Sequence, residues 1–165
     1  MKEKNDEKFS PALAWFDAVP VILFSAATLL IALRFRNTVF IIGAVCCVCA
    51  GLGKVIWKII MATSNKNILL LSRQLRVLMP VGFLLMIVGV ITGMNTVLWK
   101  SLIQNVLSVP AVIFFGFAVL GMVLMGIFAG RLDQKKVRSN WIEQITNAVA
   151  QGCFLLGVLF CISGG

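Results

Sequence analysis

Thr38–Met61 reads TVFIIGAVCCVCAGLGKVIWKIIM, and its first sixteen residues carry no formal charge. At ~1.5 Å per residue the stretch spans roughly 35 Å as a helix, enough to cross about 30 Å of hydrocarbon. Lys54 and Lys58, one helical turn apart, mark the end that leaves the membrane. Four further apolar stretches flank this one, and together they predict helices over about 13–33, 38–61, 77–98, 109–129 and 141–162. The stretch Ala18–Leu33 is long for the apolar region of a signal peptide. It also ends in Arg34-Phe-Arg36 rather than in a small-residue cleavage site, so it reads as a retained first span.

Composition leads to the same reading. Of the 165 residues 60% are hydrophobic, and the mean hydropathy is +1.00. Soluble domains hold about 45–50% apolar residues, and a water-soluble fold of this length has too little interior for the excess. The chain is therefore expected to be all-α: a polytopic integral membrane protein, a five-transmembrane-helix bundle forming one domain over residues 11–165. A polar tail, residues 1–10, precedes it. A short interfacial helix is expected before helix three, because Ile68, Leu71, Leu75 and Leu78 recur at three and four with Arg73 and Arg76 off that stripe. The competing reading of 68–78 is an extension of helix three into water. The connection Ser101–Ser108 is only weakly polar and is expected at the interface.

Charge orients the bundle. The net charge is +9, with 15 Lys/Arg against 6 Asp/Glu. With five spans, one side collects Lys2, Lys4, Lys8, Lys54, Lys58, Lys66, Arg73, Arg76, Arg131, Lys135, Lys136 and Arg138. The other side collects Arg34, Arg36 and Lys100. Twelve against three predicts a cytoplasmic N-terminus and an external C-terminus in a cell membrane. The same cations predict contact with anionic lipid head groups through Lys58, Arg73, Arg76, Arg131, Lys135 and Lys136. No basic-aromatic module supports nucleic acid as a partner. The four Trp residues at 15, 57, 99 and 141 sit at helix ends, as aromatic belts require; their even spacing carries no repeat, since their contexts differ.

Polar residues within membrane depth are the candidate site. Asp17 enters helix one, and Lys54 lies about two turns inside the end of helix two on the same side. An unpaired charge in lipid costs several kcal/mol, which predicts either an Asp17–Lys54 ion pair or a Lys54 stem extended to the head groups. On helix five Asn140, Gln144, Asn147 and Gln151 repeat at four, three, four, with Glu143 beside them, so they share one face. Amides in lipid need partners, and this face is expected to look into the bundle. It would either line a polar cavity open to the cytoplasm or bond neighbouring helices. The expected ligand pocket comprises Asp17, Lys54, Glu143, Gln144, Asn147 and Gln151.

Cys46-Cys-Val-Cys49 contains the C-x-x-C spacing of redox dithiols. Its depth in hydrocarbon disfavours a thiolate, and no loop carries an exchange partner, so small apolar packing is the expected role. The absence of His removes the commonest metal ligand and proton shuttle. No cofactor is expected. Gly89-x-x-x-Gly93 and Gly126-x-x-x-Gly130 allow close helix approach, within the bundle or in a homo-oligomer or complex with another membrane subunit. These features favour a non-enzymatic protein that binds or passes a small solute or lipid, or serves as a subunit of a membrane assembly. The alternative is a membrane-embedded enzyme using the polar pocket or the thiols.

Overall fold

The computed structural model describes residues 11–64, 68–93, 99–131 and 137–163. Among these residues the chain is all-helical, without a strand: α1 (Pro11–Phe16), α2 (Ala18–Phe35), α3 (Thr38–Ser64), α4 (Leu69–Thr92), α5 (Trp99–Val106), α6 (Val109–Arg131) and α7 (Val137–Ser163). Four stretches are long and apolar enough to cross a membrane: Ala18–Phe35, Thr38–Ile60, Val109–Phe128 and Arg138–Ser163. The apolar part of α4, Val77–Thr92, is shorter. Between 17 and 39% of the four long stretches is buried within the protein, so most of their apolar surface needs lipid as its solvent.

The helix ends follow from local chemistry. Pro20 has no N–H to give the Phe16 carbonyl and its ring crowds that oxygen, so the first helix breaks after Phe16. Asp17 stands in the break with helical angles (φ −62°, ψ −18°), and the axis continues into α2. Arg36 closes α2 in the left-handed region at φ 48°, its N–H donating to the Ala32 carbonyl at 3.0 Å. Asn37 then caps α3, its Oδ1 accepting the Phe40 N–H at 3.0 Å. This two-residue turn matches the one expected over 34–37.

Of the two readings of 68–78, the continuous one holds: Ile68–Leu78 forms no separate interfacial helix, because Leu69 runs without interruption to Thr92, through Pro80. Arg73 and Arg76 therefore fall within α4. The short amphipathic helix lies after this one instead, at α5, where Leu102, Ile103 and Val106 oppose Gln104 and Asn105. The expected tail 1–10, Lys66, and the loop positions Lys135 and Lys136 lie outside the described residues, as do residues 94–98 of the expected helix three.

Two hairpins, α3/α4 and α6/α7, flank α2, which touches α3 on one side and α7 on the other. The α3/α4 contact is backbone on backbone. A Cβ on Gly43 would stand 2.6 Å from the Gly82 carbonyl oxygen, and one on Gly89 would stand 2.5 Å from the Phe40 nitrogen. Gly93 meets the ring of Phe35. The Gly89/Gly93 motif thus packs inside the bundle, whereas Gly126 and Gly130 of α6 have nothing within 4 Å of an added Cβ. An aromatic row crosses the molecule: Phe83 of α4, Phe24 of α2, Phe154 of α7 and Phe115 of α6, with centroids 6.2, 6.4 and 6.2 Å apart in turn. Hydroxyls within the apolar helices bond back one turn, Ser25 Oγ to the Val21 carbonyl and Thr28 Oγ1 to the Phe24 carbonyl, each at 2.7 Å.

Candidate polar site

The break between α1 and α2 places Asp17 at one end of the bundle, facing α3 and beside α7. Its carboxylate is buried, and Oδ2 lies 2.7 Å from Nζ of Lys58, which is also buried. The expected partner was Lys54. Depth alone favoured it: counted from Arg36, Asp17 is 19 residues back (36−17), Lys54 18 ahead (54−36) and Lys58 22 ahead (58−36). Cα–Cβ bonds tilt toward the start of their helix, however. Asp17 therefore leans outward from the turn, Lys58 leans back toward it, and the two charged ends meet between their backbone levels. Lys58 was also expected among the head-group cations, and in the structure it points inward instead. Lys54 is half-buried; its positive charge and the negative charge of Glu143 both reach Lys58. Asp17 from the α1/α2 break, Lys54 and Lys58 from α3 and Glu143 from α7 thus enter one electrostatic group, with Lys54 a like charge beside Lys58.

On α7 the expected face exists in part. Gln144 is buried, while Glu143, Asn147 and Gln151 are half-buried. Two amide oxygens, Gln144 Oε1 and Gln151 Oε1, are buried without a hydrogen-bond donor. In an apolar bundle each unsatisfied carbonyl is costly, about 1–3 kcal/mol. The structure brings Asp17 to Lys58 and sets Glu143 and Lys54 in range of that pair. Neither Gln144 nor Gln151 accepts a hydrogen bond from them at its amide oxygen. Phe16 covers Trp141 on the first turns of the site, centroids 5.4 Å apart, and Leu13 is fully buried beneath α1. Gln74 of α4 lies against Gly53 of α3, where only a glycine leaves room for its amide. That contact had no signal in the sequence beyond a glycine one residue before Lys54.

Of the head-group cations, Arg131 ends α6 and is exposed. Among the thiols, all five are free. Cys47 is buried, its Sγ 3.9 Å from the Met79 carbonyl and close to Gly82, while Cys46 is half-buried and Cys49 exposed. Cys47 thus packs α3 against α4. No group of three His, Cys, Asp or Glu side chains suited to a metal occurs among the described residues. No protein-family model, curated protein or solved structure matches the chain, so its reading rests on this geometry.

Proposed function

We propose that this chain is a small, non-enzymatic, multi-pass membrane protein that binds a small polar solute at the Asp17–Lys58 end of the bundle. In this reading α4 completes a set of five spans, its basic first turns at head-group depth. The end holding Asp17 faces the cytoplasm, as the excess of Lys and Arg on that side suggests. The observation that carries the proposal is the pair of donorless oxygens, Gln144 Oε1 and Gln151 Oε1, on the helix that also brings Glu143 toward a buried ion pair. Acceptors without donors select a ligand rich in N–H or O–H groups, such as an amine, an amino acid or a polyol. Asp17, Lys58, Glu143 and Lys54 supply both charge signs beside them.

The test is a thermal-shift panel of amines, amino acids and polyols on the full chain in lipid nanodiscs. At least one donor-bearing solute should raise Tm, and Gln144→Leu should remove that response without unfolding the protein. A flat panel, or an unchanged response in Gln144→Leu, would sink the proposal. Orientation is checked separately: a cysteine at Arg131, in a chain whose native cysteines are replaced, should react with an impermeant maleimide only from the cytoplasmic side. A subunit role is the second reading, favoured by the uncovered Gly126 and Gly130 of α6. Cross-linking through those two positions in native membranes tests it.

A further inference from the structure

The end of the bundle away from Asp17 holds a cavity of about 240 Å³. Ile31 of α2, Phe154 and Cys161 of α7, and Leu102 and Val106 of α5 line it, and Arg34 adds only the aliphatic stem of its side chain to the wall. None of these residues belongs to the polar site. Apolar cavities of roughly 150 Å³ stay dry and admit a ring the size of benzene. This one has room for a longer alkyl segment, and too little for a two-chain lipid. Arg34 is exposed in the last turn of α2, two residues before the Arg36 turn, and α5 is amphipathic, so the cavity opens at the depth where chains meet head groups.

We propose that this cavity is a binding site for a bilayer phospholipid with an anionic head group. One acyl chain enters between α2, α5 and α7, the phosphate region meets Arg34, and the second chain stays in the bilayer. Charge selects the ligand class: the exposed Arg34, whose stem lines an apolar chamber, complements an anion joined to a hydrocarbon tail.

The full chain is reconstituted in phosphatidylcholine vesicles containing a trace of phosphatidylglycerol that carries a diazirine in one chain, or the equivalent phosphatidylcholine probe. After illumination the adducts are mapped by mass spectrometry. Adducts should concentrate on Leu102, Val106 and Cys161, with the anionic probe favoured by about fivefold, the factor one surface cation contributes toward anionic lipid. Arg34→Gln should remove that preference, and Arg34→Lys should keep most of it. Leu102→Trp, on the short helix, should fill the cavity and lower adducts from both probes there. Adducts spread evenly over the lipid-facing helices, or a preference that survives Arg34→Gln, would overturn the proposal. So would displacement of the phospholipid by an equimolar fatty acid, which would name a free single-chain anion as the occupant. Solute binding at the Asp17 end is unaffected by either result, because the two sites share no residue.

Discussion

At one end of the bundle Asp17 and Lys58 are both buried and 2.7 Å apart; at the other, Arg34 stands exposed at the rim of an apolar cavity. The first end neutralises charge internally, so losing either partner strands the other in a medium of low polarity. The second leaves its charge exposed, where its removal costs little. The same contrast separates the hairpins. The α3/α4 pair is joined through glycines that touch the facing backbone, while on α6 Gly121 alone meets its partner helix, at Ala150, and Gly116, Gly126 and Gly130 have nothing within 4 Å of an added Cβ.

The largest effect should come from Asp17→Leu, which leaves Lys58 buried without a counter-charge. Loss of one partner of a buried pair costs about 3–5 kcal/mol. Unfolding of the purified protein in mixed micelles should show it, and Asp17→Leu with Lys58→Met should recover most of the loss. A single variant as stable as the parent would mean that the pair is solvated. Next comes Gly89→Val, whose side chain would enter the Phe40 backbone: overpacking of about 1–3 kcal/mol is expected. Gly126→Ala should shift stability by no more than about 0.5 kcal/mol, and equal costs at the two glycines would erase the contrast between hairpins. Gln144→Leu removes a donorless carbonyl, so stability should hold or rise by about 1 kcal/mol while any solute response disappears. A clear loss of stability would show the amide to be bonded. Arg34→Gln should leave the unfolding midpoint within experimental error and change only the preference for anionic lipid. The smallest effect is expected for Cys49→Ala, whose side chain is exposed on α3; thiol loss there should be silent in both unfolding and binding.

Much of the bundle was readable because lipid imposes length and apolarity on anything that crosses it. The turn at Arg36–Asn37 falls in the gap between the expected helices 13–33 and 38–61, and α3, α6 and α7 extend slightly past their expected ends. The stretch from Ile68 to Leu78 admits two readings because an amphipathic stripe looks the same whether the helix lies flat or continues into a span; the uninterrupted run to Thr92 selects the continuous one. Asp17 was identifiable as needing a cation. Its choice of Lys58 over Lys54 turns on the tilt of Cβ atoms along antiparallel helices, which residue spacing does not encode. The amides of α7 were found by their period, but whether each oxygen meets a donor depends on neighbours from other helices. The apolar cavity left no mark in the sequence at all. It arises where α5 packs on α6 and α7 and leaves a gap beside the end of α2, and cavities of that kind are made by what is missing between side chains.

Phe154 belongs both to the aromatic row and to the cavity wall, and Gln151 precedes it by three residues on α7, about 4.5 Å along the axis. The greasy chamber and the Gln151 amide therefore stand about one helical turn apart along α7, with the Phe154 ring on the chamber side. Trimming that ring to a methyl group would enlarge the chamber toward the amide.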